Sequence, residues 1–560
     1  MNWTTGTWLL ITAFTFIAPY ISCANDYWSG GDLEADIRAR VSASGGTEAI
    51  VAGVIDVSGT RIIHYGNMNG KDSAPADGDS VFEIGSITKV FTSLILADMV
   101  ARGEVKLDDP ITKYLPANVH MQIKGRAITL EDLATHTSGL PRLPKNFSPR
   151  DAQNPYADYT VENLYDFLRS YTPTNEPGAN FEYSNLGVGL LGHLLALRAG
   201  TNYEALVIER VCHPLGMTHT MITLTPEMRA RLATGHDENG KAVANWDLPT
   251  LAGAGALRST VNDMLKLASA GLGSGKTDLN AALELTEKTR HAADSSAVKV
   301  GLGWMTMTVR GDDLFFHNGG TGGYRSFLGF DKHNGRAIVI LASSAKDVDA
   351  FGMNFLRAQS PADAAKPAPT HVEIKLNSKT LTNYSGRYQF SPEIFFSVRV
   401  ANGHLEGQMT GQGYLPLFAE SDTEFFNDSV AATITFNRGA DGKATSLVLH
   451  QGGLDQTAKR AGDAIAEKKH VAIAMEPKAF DAFVGEYSFR PGLTLTAKRD
   501  GEHFYVMLTG QSFLEIFPES ETNFFLKVVD AQLTFVKGED GKVSAVILHQ
   551  NGADQRATRM

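Results

Sequence analysis

Two stretches near the C-terminus of this chain repeat each other at a constant offset of 99 residues, and the duplication limits what the polypeptide can fold into. Gly386 and Tyr388 recur as Gly485 and Tyr487, and Thr410-Gly411-Gln412 recurs as Thr509-Gly510-Gln511. Asp441-Gly442-Lys443 recurs as Asp540-Gly541-Lys542, and Leu449-His450-Gln451 as Leu548-His549-Gln550. Within each copy, alternating runs such as Phe396, Val398, Val400 and Ile434, Phe436 are separated by turn pairs such as Asp441-Gly442. That is the pattern of antiparallel strands with one buried face. A copy of roughly 80 to 90 residues with little helical periodicity is expected to close into a small β-barrel rather than leave strand edges open.

The 560 residues leave room for further domains, and 43% hydrophobic with 20% charged residues excludes a disordered or fibrous chain. Ser360-Pro361-Ala362-Asp363-Ala364-Ala365-Lys366-Pro367-Ala368-Pro369 reads as a semi-rigid linker. The expected domains are 25–358, a linker at 359–376, barrels at 377–463 and 476–560, and a second linker at 464–475. In the first domain, strand pairs at Ala49–Val57 with Arg61–Tyr65 and at Phe327–Ala342 enclose helical stretches. The expected fold class is therefore α+β, an antiparallel sheet assembled from both ends of the domain with helices packed on it, followed by two small antiparallel barrels.

At the N-terminus, the mostly apolar run Trp8–Ile21 before Ser22-Cys23-Ala24 reads as a secretory leader over residues 1–24, too short to span a bilayer. It carries no Lys or Arg, and Tyr20 stands where a lipoprotein signal has Leu, which argues against lipidation of Cys23. A periplasmic or secreted protein is expected. A net charge of -11 provides no basic footprint for nucleic acid. Apart from Cys23 the only cysteine is Cys212, which rules out an internal disulfide or a Cys-rich metal site in the mature chain and reads as a small buried hydrophobe.

Ser86-Ile87-Thr88-Lys89 places a hydroxyl and an amine three residues apart, on one face of a helix, where the amine can activate a weak nucleophile. The same pattern occurs at Ser296-Ala297-Val298-Lys299 and Ser343-Ser344-Ala345-Lys346, but only Ser86 opens an apolar periodic run, Ile87, Val90, Phe91, Leu94, Ile95. Ser86 also reads as an ordinary helix N-cap. About 100 residues on stands Tyr183-Ser184-Asn185, a phenol able to shuttle a proton beside an amide able to hold a substrate amide. About 130 further, His317-Asn318-Gly319 runs along a strand into Gly320, where missing side chains would let a substrate approach the backbone. His136 and His213 read as structural histidines, and Phe425-Phe426, Phe524-Phe525, His450 and His549 as packing and turn residues of the barrels.

In that order and spacing, residues 32 to 345 resemble the serine β-lactamase and penicillin-binding-protein superfamily, specifically its class C-like branch, which also holds esterases and D-aminopeptidases. Leu107-Asp108-Asp109-Pro110, His136-Thr137-Ser138-Gly139-Leu140, Pro177-Gly178, Pro214-Leu215-Gly216-Met217, Gly301-Leu302-Gly303-Trp304 and His317 to Gly323 are similar to family signposts. The tail resembles the lipocalin-like barrels of some D-aminopeptidase relatives. The resemblance implies catalytic Ser86, Lys89 and Tyr183, an oxyanion site between the backbone N–H groups of Ser86 and Gly320, and substrate-binding Asn185, His317, Gly319 and Gly320. It implies no metal or organic cofactor, and a substrate that is a β-lactam, a D-amino-acid peptide or an ester; the oligomeric state is not implied. The chain departs from the pattern at His317 and Asn318, where most β-lactamases have Lys and Thr. An imidazole is charged only below about pH 6.5. Carboxylate recognition is then expected to weaken by roughly tenfold at neutral pH, favouring esters over β-lactams. The alternatives are a D-aminopeptidase or esterase without useful β-lactamase activity, and a penicillin-binding sensor that is acylated but does not turn over.

Overall fold

Strand β1 (Ile50–Asp56) leaves its N-terminal hairpin partner β2 (Gly59–Tyr65) on one side and takes a strand from the far end of the domain on the other. This is a computed structural model, and it describes residues 32–560 except 276, 294–297, 359–370, 392–393, 411, 428–431, 452, 464–469, 471, 491–492, 509–512, 528–530, 539 and 551–552. The expected leader and the larger part of both expected linkers lie outside the described residues. The chain divides into two compact units, residues 1–368 with 453–455, and residues 369–452 with 456–560.

In the first unit, β3 (Phe82–Glu83) and β4 (Arg258–Ser259) form a small separate ladder. The main sheet adds β5 (His291–Ala292), β6 (Val298–Val300), β7 (Met305–Val309), β8 (Asp312–Gly320), β9 (Arg325–Asp331) and β10 (Arg336–Ala342). Its order is β5-β6-β7-β8-β9-β10-β1-β2, antiparallel throughout, with Ile50 opposite Ala342 and Ile55 opposite Ala337. The sheet is thus assembled from both ends of the domain. Successive side chains alternate between faces: Ile50, Ala52 and Val54 join Leu33, Ile37, Val41, Met353 and Leu356 in one core. Val51, Val339 and Leu341 join Val261, Met264 and Ala268 in the other.

The helix Thr88–Ala101 lies in that second core and is buried from Thr88 to Met99. Its apolar residues surround it, as they must where no face meets water. Asp98, near its end, is buried but paired with Arg102 and Arg210, each at 2.9 Å. No helix of the described residues is long and apolar enough to cross a membrane.

The two tail repeats form closed eight-stranded antiparallel barrels, one from Gly386–Ser391 to Leu454–Gly462 and one from Gly485–Arg490 to Ala553–Arg559. They close in the same register, Tyr388 opposite Arg460 and Tyr487 opposite Arg559. Each closing tyrosine is fully buried and donates its hydroxyl to a backbone carbonyl four residues back, Tyr384 or Phe483, at 2.7 Å. Phe396 and Val398 point inward as their alternation predicts, but Val400 is 36% exposed because its strand is running out into the Asn402-Gly403 turn. Phe425, Phe426, Phe524 and Phe525 are all buried, and His450 and His549 bond across strands to Thr435 and Thr534.

Tyr388→Phe and Tyr487→Phe each strand a buried carbonyl, so each is expected to destabilise its own barrel by about 1 kcal/mol. Calorimetric unfolding of the two variants against the parent checks this.

Candidate active site

Ser86 lies in a single 3-10 turn, Gly85–Ile87, that leads from β3 into the Thr88–Ala101 helix. Gly85 has φ +49, and a side chain there would meet the Gly320 backbone nitrogen at 2.6 Å. The start of the helix therefore lies directly against β8. No side chain caps either the turn or the helix, so the N-cap reading of Ser86 is not realised. Its hydroxyl instead lies 3.0 Å from the Lys89 amine.

Lys89 is completely buried. Besides Ser86, its Nζ meets two carbonyl oxygens, Asn185 Oδ1 at 2.9 Å and Ala254 O at 2.7 Å. Burial, and secondarily the Arg142 guanidinium, hold its pKa well below the ordinary 10.5. A neutral amine has two N–H groups and one lone pair. Both carbonyls can only accept, so in the neutral form they would take the two N–H groups and leave the lone pair toward the Ser86 hydroxyl.

Tyr183 and Asn185 flank the start of the helix Asn185–Ala199, which Ser184 caps by accepting from Gly187 N at 2.8 Å. The Tyr183 hydroxyl is buried, which pushes its pKa up to about 12 against the opposing pull of the Ser86 hydroxyl and Arg142. The Lys89 amine lies 4.9 Å from the centre of the Tyr183 ring. Asn185 donates to the Tyr156 hydroxyl at 3.3 Å while accepting from Lys89. His136, read from sequence as structural, is held at φ +59, accepts from Ser184 N at 3.1 Å and stacks on the Tyr183 ring at 4.3 Å. It orients the phenol. His213 is exposed on a short helical turn, and Cys212 is buried with its thiol pushed up to about 12 by desolvation.

Two of the strand residues differ from their expected behaviour. His317 is buried at 2% exposure, and burial together with Lys89 lowers its pKa to about 3. It does not titrate near 6.5. Its Nδ1 lies 2.6 Å from the Asn318 carbonyl, which can only accept, so Nδ1 carries the proton and the buried Nε2 is left as an acceptor with no hydrogen-bond partner among the described residues. A carboxylate would meet a lone pair there, not a cation. The Asn318 amide is turned to Asp349. Gly319, expected to open room for substrate, is required for another reason: a side chain would collide with the Ile84 carbonyl and the Ser326 hydroxyl, which are themselves bonded at 2.8 Å. Gly320 does border the nucleophile turn, through its contact with Gly85.

Residues 34–361 match the beta-lactamase family model. The chain belongs to the beta-lactamase family. The D-alanyl-D-alanine-carboxypeptidase/endopeptidase AmpH of Escherichia coli K12 is 30% identical over 307 residues, 52% of this chain and 78% of that protein. A beta-lactamase of Pseudomonas fluorescens is 27% identical over 326 residues, 52% of this chain and 87% of that protein. The solved beta-lactamase/D-alanine carboxypeptidase of Yersinia pestis aligns with a TM-score of 0.51 at 25% identity, covering 58% of this chain and 96% of that one. This beta-lactamase family member is a serine acyl-hydrolase of the class C-related type. Residues 370–461 and 469–559 each match a domain of unknown function, DUF3471.

Three neighbours of the site were not singled out from sequence. Tyr156, buried, packs at 5.5 Å from Trp246, whose indole nitrogen lies where a side chain on Gly322 would fall. Arg142 is exposed, with its guanidinium 5.2 Å from the centre of the Tyr183 ring. The only sequence signal for Arg142 is its position two residues after the His136–Leu140 signpost.

Gly319→Ala is expected to cost about 1–3 kcal/mol of stability by overpacking. By displacing β8 from the nucleophile turn it should also lower kcat/KM on the order of 100-fold; thermal melts and ester kinetics on the same preparation check both. Because His317 stays neutral, the pH profile from 5.5 to 8 carries no His317 limb. His317→Gln should therefore leave the position of any limb unchanged while altering its height.

Proposed function

We propose that this family member cleaves ester or amide bonds through an acyl-enzyme on Ser86, with Lys89 as general base. The observation that carries the reading is the buried amine that meets two carbonyl oxygens and the Ser86 hydroxyl and whose pKa is held well below its ordinary value. As Oγ attacks the substrate carbonyl, its proton passes to Lys89, and the oxyanion forms beside the backbone N–H groups of Ser86 and Gly320. On collapse the proton returns through the Tyr183 phenol to the leaving group, and water releases the acyl group by the reverse path. Tyr183, raised to about 12, is suited to act as a protonated relay at neutral pH. Asn185 orients both the amine and a substrate amide.

Relatives bear the names of a beta-lactamase and a D-alanyl-D-alanine carboxypeptidase, which supports β-lactams and D-amino-acid peptides as substrates. The neutral, acceptor-bearing His317 favours a second reading, an esterase or D-aminopeptidase with little β-lactam turnover. The leader at 1–24 supports a periplasmic or secreted enzyme, with the hydrolase at 25–358 and the barrels at 377–463 and 476–560.

Ser86→Ala should abolish turnover and covalent labelling by a fluorescent penicillin. Lys89→Arg, whose guanidinium does not deprotonate, should lower kcat by about 10²–10⁴. His317→Lys should raise the ratio of cephalosporin to neutral aryl ester turnover about tenfold. A label that persists without turnover would instead indicate the sensor, and an unchanged ester rate in Ser86→Ala would overturn the assignment.

A further inference from the structure

Strand β8 carries no cation for a substrate anion, since His317 is closed by its own backbone contact and presents a lone pair. Arg325, beside Gly320, is turned to the Thr321 and Tyr324 carbonyls at 2.9 and 3.0 Å. Arg142 differs from both. Its backbone is pinned to the start of the Asn185–Ala199 helix, its carbonyl accepting from Leu186 N at 3.2 Å, while the preceding Pro141 carbonyl accepts from the Ser184 hydroxyl at 2.7 Å. The side chain projects over the Tyr183 ring. It remains exposed, and no carboxylate among the described residues is paired with it.

Its charge is also felt at the reaction centre. Arg142 is among the causes that lower the pKa of Lys89 and Tyr183. A guanidinium held on an anchored loop, open to solvent and beside the proton-transfer pair, is well placed to take a carboxylate in a forked, charge-assisted contact.

We propose that Arg142 selects the substrate: it recognises a carboxylate carried by the ester or amide being cleaved, in place of a cation on strand β8. This rests on the Ser86 acyl-enzyme reading, and it narrows the substrate class to anionic acyl compounds. Bound this way, the anion lies on the Tyr183 and Asn185 side of the nucleophile.

The test compares three esters: phenyl acetate, phenyl hemisuccinate with its carboxylate on the acyl part, and 4-acetoxybenzoate with its carboxylate on the leaving group. Removing Arg142 also changes the field on Lys89 and Tyr183, but that change is common to all three and cancels in ratios of kcat/KM. In the parent enzyme at least one anionic ester should be preferred over phenyl acetate, with a preference that falls as ionic strength rises. Arg142→Gln should reduce that preference about tenfold, mainly through KM, and Arg142→Lys should restore part of it. If the preference of both anionic esters is the same in parent and Arg142→Gln, the assignment to Arg142 is wrong even though the hydrolase stands. Equal rates for all three esters in parent and Ser86→Ala would overturn the underlying mechanism instead.

Discussion

A primary amine removed from water is costly to keep charged, and in this molecule that cost determines the chemistry. Lys89 lies on a helix buried from Thr88 to Met99, and its hydrogen-bond partners among the described residues are two carbonyls and the Ser86 hydroxyl. The carbonyls fix the direction of the lone pair without compensating for full protonation as a carboxylate would. A nearby aspartate or glutamate in the position of Asn185 would hold the amine charged and remove the base. In the proposed mechanism the neutral amide of Asn185 is therefore as much a part of the base as Lys89 itself.

That arrangement depends on backbone approaching backbone. The Ser86 turn and strand β8 touch where Gly85 meets the Gly320 backbone and Gly319 meets the Ile84 carbonyl, and a side chain on Gly85 or Gly319 would push the two elements apart. On the other side, Tyr183 is sandwiched by groups of different character: the His136 ring stacked on it, Lys89 near its centre, and Arg142 toward solvent. Three bases in this cluster are depressed first by burial, then Lys89 by Arg142, His317 by Lys89, and His136 by Lys89, His317 and Arg142. Of these four groups only Arg142 is exposed to water.

Much of this could be read from residue order. The 99-residue repeat announced two closed barrels because short alternating strands without helices have no other way to hide their edges. Strand patterns at Ala49–Val57 and Phe327–Ala342 likewise anticipated a sheet drawn from both ends of the domain, and β1 does pair with β10. The three-residue step from Ser86 to Lys89 carried its own geometry, since a helix turn puts such residues on one face. By contrast, how far below neutrality His317 titrates was not legible, because that depends on burial and on Lys89, a residue more than 200 positions away. The packing of Gly319 on the Ile84 carbonyl was likewise not legible, since that contact exists only after β8 docks.

The sequence alone determined the two architectures, the nearness of Ser86 to Lys89 and the likeness to the class C branch, because periodicity and short spacings act locally along the chain. Tertiary structure alone decided which nitrogen of His317 is protonated, which groups the Lys89 amine meets, and that Arg142 stands over Tyr183. Those properties follow from solvent exclusion and from partners supplied by distant segments. Desolvation belongs to the folded surroundings of a group, and no residue carries it in its own identity.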